Sequence, residues 1–477
     1  MVPRTAIALG AVSTLAAASF ALVGCGDDDV AATDSGPGDL GMSDAADAAR
    51  PDAERDADTD AGSSRCPAIE ARRRVEISAD LVTDVRWTCD ELYVLTTVVF
   101  VRAGATLTID PGVVVHGEED AVLLVATDGY IVAEGTADAP ITFTSAKPPG
   151  MRARGDWGGV MLLGLASTNR GPDVITVEGG PLEEHGTFGG DDDEHDCGSL
   201  RFVRIQFVGS GQSMGDDLNA LTLAGCGRAT RVEFVHAHFV RGDGIELQGG
   251  TADLRHVLVT RADDDALDWD QGWRGRVQFL VSQPDPFAAD AALEGDSHFG
   301  EPGTEPRSHP VVFNATLLGP DLPGGTQTAI LLRSGTRALV HDALLVGFPG
   351  HALDVIGAAT ATSATHDLLA VSHSLFFDIG RGGTTWFDPA DANDGGFDES
   401  AYLMDEALAN RFGVDPDLPR AFDLAAPVLV PSRDSPAATG ALVPPDDGFF
   451  DPGASYLGAF APGGVDWTEG WTERPES

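Results

Sequence analysis

The chain has little positive charge and almost no lysine. Of 477 residues only Lys147 is a lysine, and 75 acidic side chains face 30 basic ones, for a formal net charge of −45. Nucleic-acid backbones are excluded as partners, because phosphate binding needs clustered Lys and Arg. Aromatic residues make up only 7%, and no 3.6-residue apolar period persists over a long window, so helical bundles are excluded. No Gly-rich phosphate loop or Gly-x-Ser-x-Gly elbow stands in a strand-to-helix context, which argues against nucleotide and serine-nucleophile chemistry. No run matches the twelve-residue EF-hand loop. What the chain has instead is glycine, 58 residues, and proline, 29, punctuating short apolar runs.

Those runs recur. Gly242–Gly250 reads Gly-Asp-Gly-Ile-Glu-Leu-Gln-Gly-Gly, Asp263–Gly272 reads Asp-Asp-Asp-Ala-Leu-Asp-Trp-Asp-Gln-Gly, and Asp290–Asp296 reads Asp-Ala-Ala-Leu-Glu-Gly-Asp. Each follows a β-rich run such as Leu254–Val259 or Val277–Val281. Ile245 and Leu267 are 22 residues apart, Leu267 and Leu293 are 26 apart. A two-strand unit at that interval is the mark of a solenoid, whose coils bury their apolar faces only by stacking. Aligned coils predict an inner column of Leu221, Ile245, Leu267, Leu293, Ile330 and Leu353.

The N-terminus reads differently. Arg4 precedes an apolar run from Ala6 to Val23, then Gly24-Cys25, the pattern of an export signal. Leu22-Val23-Gly24-Cys25 resembles the lipobox of bacterial lipoproteins. That resemblance implies a signal peptide over 1–24, cleavage before Cys25 and a lipid on its sulfur; the alternatives are a plain secretory signal or a membrane anchor. Residues 26–65 hold 12 acidic and 3 basic side chains and no aromatic. They cannot bury enough apolar surface to offset ordering, so 25–70 reads as an acidic linker. Export permits disulfides, and Cys66, Cys89, Cys197 and Cys226 allow three pairings. Cys66–Cys89 and Cys197–Cys226 are preferred over free thiols. The second pair follows if Val203 and Val232 are equivalent positions one 29-residue coil apart.

From Val75 onward, Gly104–Gly112, Ala133–Thr136, Pro140–Ser145 and Gly155–Gly159 resemble a large family of bacterial envelope proteins that are right-handed parallel β-helices, many of them lipoproteins. Leu200–Ile205, Asn219–Leu223, Gly249–Thr251, Asp263–Asp265, Gly272–Gly275 and Asp466–Trp471 continue the resemblance over roughly 75–475. The family usually has an aromatic pair before Gly-Gly-Thr, where this chain has Leu247 and Gln248. The expectation is an all-β, right-handed parallel β-helix over 71–440, with 441–477 as a capping segment. Pro-rich 415–452 and the Trp467/Trp471 tail would cover the last coil.

Period 2 turns the residue after each inner position outward. That column reads Thr222, Glu246, Asp268, Glu294, Leu331, Asp354; two residues on, it reads Ala224, Gln248, Asp270, Asp296, Arg333, Ile356. Asp216, Asp217, Asp243, Asp264 and Asp265 lie just ahead of these strands. A carboxylate ladder at coil spacing needs cations, raised pKa values or arginine partners. Hard oxygen donors suit Ca²⁺. The metal candidates are therefore Asp216, Asp217, Asp243, Glu246, Asp264, Asp265, Asp268, Asp270 and Glu294; the alternative is a solvated acidic face. Paired carboxylates would also suit a glycoside hydrolase, and an arginine base beside the metal a polysaccharide lyase. The catalytic candidates are Asp264, Asp265, Asp268, Asp270, Glu246, Arg274 and Arg333. Trp269 and Trp273 would stack on a sugar or pack at a coil corner. His236 and His238 share a strand face without a third zinc ligand, so packing is favoured.

Two functions are thus expected from the sequence. One is a lipid-anchored protein of the bacterial envelope, outer-membrane or surface-exposed, with a Ca²⁺-binding acidic face and a structural or recognition role toward a polysaccharide or another surface protein. The other is a Ca²⁺-dependent carbohydrate-active enzyme. Neither involves nucleic acid or nucleotide.

Overall fold

The computed structural model describes residues 66–171, 175–177, 185–209, 218–320, 325–380 and 393–477. Apolar runs of four to ten residues become strands, and Gly- and Asp-rich stretches become the corners between them. Nine strands form one parallel wall, from Val98–Val101 to Asp354–Val355, in chain order. Its register joins Leu221 to Ile245, Ile245 to Leu267, Leu267 to Leu293, Leu293 to Ile330 and, one residue on, Leu331 to Asp354. The inner column is the expected one, and each of its six residues is fully buried. The fold is an all-β parallel β-helix.

The remaining walls join into a 17-stranded sheet. They merge because long strands such as Arg231–Val240 and Asp253–Ala262 bend without breaking. Phe202, Phe234, His256, Phe279, Asn314, Asp342 and His373 occupy that bend on successive coils, all with φ between 48° and 63°. A left-handed residue is costly for a bulky side chain and persists only where its surroundings hold it. Here the rings of Phe202 and Phe234 stack at 4.4 Å, Phe234 and His256 at 4.3 Å, and His256 and Phe279 at 4.7 Å. Stacking at coil spacing returns part of the backbone cost.

Both preferred disulfides form, Cys66–Cys89 and Cys197–Cys226, with Cα atoms 5.4 and 5.7 Å apart. The register behind the second differs from expectation. Val203 pairs with Val235 and Leu200 with Val232, so this coil is 32 residues long rather than 29. Coil length is set by the corner loops, and these vary while the strands stay in step.

The C-terminal segment runs back along the side of the stack rather than ending over the last coil. Gln283 Nε2 donates to Ala421 O at 2.7 Å, Asn314 Nδ2 to Ala454 O at 3.0 Å, and Arg204 Nη1 to Glu473 Oε2 at 2.8 Å. The Gly150 amide donates to Ser477 O at 3.0 Å. At the far end of the stack, Arg411–Phe412 adds a short strand to Leu375–Phe377.

Candidate cation site on the acidic wall

The wall Ile245–Gln248, Leu267–Asp270, Ala291–Gly295 sets Glu246, Asp268 and Glu294 in register on successive coils, as read from the sequence. Neighbouring strands lie about 4.8 Å apart. The corner just ahead adds a second line. The Asp265 amide donates to Asp243 Oδ1 at 3.0 Å, and the Ala291 amide donates to Asp265 Oδ1 at 2.6 Å. Each corner carboxylate therefore caps the start of the strand on the next coil. One oxygen each from Asp243, Asp264 and Asp265 lies within 4.8 Å of the others.

The expected open acidic flank is instead largely sunk. Asp265 is 3%, Glu294 6%, Glu246 7% and Asp243 8% exposed, while Asp264 faces solvent. Burial, followed by repulsion from neighbouring carboxylates, drives Asp243, Asp265 and Asp268 well above the usual carboxylate range. Glu294 is raised by burial too, against the pull of Arg333. Asp268 Oδ1 is buried and has no hydrogen-bond partner among the described residues. Glu246 accepts from Asn219 Nδ2 at 2.6 Å and from Gln248 Nε2 at 2.8 Å. Three carboxylate oxygens this close, two of them on buried side chains, are a donor set that could hold a hard cation.

Not all expected members gather here. Asp270 stands in register with Gln248, on the same wall but beyond the corner cluster. Arg333 Nε meets Asp296 Oδ2 at 2.7 Å, and its Nη2 pairs with Glu294 Oε1. Burial opposes its charge, but the ion pairs outweigh burial and hold the guanidinium above its usual pKa. Arg274 is turned elsewhere, with Nη2 on Asp193 Oδ2 at 3.0 Å and on Ser167 Oγ at 2.8 Å. Asp216 and Asp217, like Cys25, lie outside the described residues.

The two tryptophans pack inward. Trp269 and Trp273 are fully buried with rings 6.2 Å apart, and their N–H groups donate to Thr336 Oγ1 and Ala252 O. Neither presents a face to a sugar. His236 and His238 are also buried, one on each side of the Thr260 hydroxyl. Sequence reasoning missed Asn219 and Gln248 as supports of Glu246. Gln248 stands two residues from Glu246, a spacing that could have signalled it; Asn219 carries no such signal.

Strands stacked in register around one apolar column, with acids aligned along one wall, define a parallel β-helix protein. The chain belongs to the pectate-lyase-like β-helix domain family, whose model matches residues 79–391. No match was found among curated proteins or among solved structures.

Proposed function

We propose that this chain is a lipid-anchored β-helix protein of the bacterial cell envelope, with Ca²⁺ on its acidic wall and a structural or recognition role toward a glycan or another surface protein. The observation that carries the reading is the convergence of Asp243, Asp264 and Asp265 within 4.8 Å. Two like charges at that distance repel by about 3.5 kcal/mol at an effective dielectric of 20. A divalent cation turns that repulsion into attraction across adjacent coils, and carboxylate oxygens are its preferred ligands. The ion would then act as a rivet between coils. The anchor rests on the export signal and on Cys25, followed by the acidic linker to residue 70. Cys25→Ser is expected to move the protein from the membrane to the soluble fraction, and unchanged membrane recovery would remove the anchor.

A second reading, a Ca²⁺-dependent polysaccharide lyase or glycoside hydrolase, draws support from the family the chain belongs to. The site's chemistry favours it less. A lyase base must give up its proton easily, whereas Arg333 is held charged by two acids and Arg274 is engaged by Asp193. The acids with the strongest upward shifts are also closed off from a bulky substrate. Incubation with acidic polysaccharides, with and without Ca²⁺, separates the readings. Binding without new unsaturated or reducing ends is expected. Turnover abolished by Asp265→Asn would establish the enzyme instead.

A further inference from the structure

Residues 466–477 cover a flank that contains two buried histidines, His236 and His238, and a half-buried one, His256. Trp471 lies edge-on to Phe202, Phe234 and His236, at 5.6, 6.1 and 6.4 Å, and Trp467 lies over His256 at 5.2 Å. His238 Nε2 donates to the Pro475 carbonyl at 2.9 Å. That bond assigns the tautomer of His238. Its Nδ1, 2.6 Å from Thr260 Oγ1, accepts the hydroxyl proton, so His236 Nε2 donates to the same oxygen at 2.8 Å. His236 Nδ1 is then the bare nitrogen, with no hydrogen-bond partner among the described residues. His256 Nδ1 is likewise a buried atom without a partner among the described residues.

Protonation has nowhere to go in this arrangement. A proton on His236 Nδ1 or His256 Nδ1 would point an N–H into a site without an acceptor. A proton on His238 Nδ1 would turn the Thr260 hydroxyl away from it. The charged groups around the rings are mostly cationic. Arg204 and Arg474 face His236; Arg154, Arg261 and Arg474 face His238; and Arg255 faces His256. The nearby acids are already engaged, Glu473 with Arg204, Asp285 with Arg154 and Arg261, and Asp263 with Arg154, while Asp466 faces Arg474.

We propose that residues 466–477 form an acid-released strap, which lies on the flank while His236, His238 and His256 are neutral. Once they take up protons it lifts and bares the stacked column of Phe202, Phe234, His256 and Phe279. The coils need not unfold for this, because their apolar column lies on the other side of the strands. Lifting the strap returns the imidazoles to water, where they titrate near 6.5. Burial holds His256 and His238 at about 3 while the strap is down. Between those limits each histidine favours release by about tenfold per pH unit.

Hydrogen exchange of the full chain tests this. After correction for intrinsic rates, amides of 467–472 are expected to lose at least about a hundredfold in protection between pH 7 and 4.5, while amides of Leu254–Val259 hold theirs. Two variants carry the assignment to the histidines. His256→Phe continues the phenylalanine column without a titrating group, and the double variant His236→Gln, His238→Gln keeps polar side chains there. Both should need lower pH for release. Tail protection unchanged to pH 4.5, loss in step with Leu254–Val259, or release in His256→Phe at the wild-type pH would each overturn the proposal.

Discussion

Gly295 stands in register with Trp269 on the preceding coil, and a Cβ placed on it would come within 2.2 Å of the indole. The tryptophan lies over the glycine because nothing else fits beneath it. Trp269 follows Asp268 and Gly295 follows Glu294, so this contact lies directly beside two acids of the wall.

Gly295→Ala should therefore disturb fold and site together. Overpacking a dense core costs about 1–3 kcal/mol, and the indole would also give up its bond to Thr336. Chemical denaturation should show that loss, with a weaker response to Ca²⁺. A variant as stable as wild type would mean the indole moves freely.

Calcium and pH should act through the same acids. Asp243, Asp265 and Asp268 have folded pKa values raised above their unfolded ones, so their contribution is full below about 3.9 and is lost as pH rises through the folded values. His238 and His256 are depressed, so theirs is full above about 6.5 and is lost as pH falls toward 3. Without metal, the melting temperature should fall on the alkaline side; millimolar Ca²⁺ should remove that fall and Mg²⁺ should do so less. Parallel curves with chelator and with Ca²⁺ would exclude an ion at this corner.

Asp342 offers a single-residue version of the same linkage. It is fully buried at the left-handed bend, its Oδ1 accepts from the Leu442 amide at 2.8 Å, and burial raises it to about 7. Asn keeps the acceptor and tolerates the bend. Asp342→Asn should stabilise by about 2 kcal/mol at pH 8, less than the shift alone implies because the amide adds an unpartnered donor. The gain should shrink below pH 7, reach zero near about pH 5.5 and turn into a loss below it, because the cost of the unpartnered amide does not depend on pH. A gain independent of pH would mean the carboxyl is not the cause.

Cys197 and Cys226 close a loop of 29 residues. Replacing both by serine should cost about 3–4 kcal/mol on chain-entropy grounds. Denaturant midpoints of the oxidised, reduced and double-serine proteins test it, and equal midpoints would count against a stabilising bridge.

The strands and their stacking were legible because alternation fixes which side of a strand each residue takes. Ile245 and Leu267 were matched from spacing alone, and the alignment of Glu246, Asp268 and Glu294 followed from it. What lies over a strand leaves no such mark. The acids were expected on an open flank and are mostly buried, and Trp269, beside them in sequence, points inward. The 32-residue step between Val203 and Val235 escaped because loop length is free to vary. The bend column escaped too, since Phe202, Phe234 and His256 read as ordinary strand residues. Their left-handed backbone depends on neighbours from other coils.

The tail that crosses the side of the stack has a consequence for assembly. Its seat consists of residues from many coils, among them Phe202, Phe234, His256, Gln283 and Asn314, and no single coil offers it. A stack that slipped by one position anywhere among them would present the wrong faces to Trp467 and Trp471. The segment translated after those coils therefore finds its full seat only where they stand in this register.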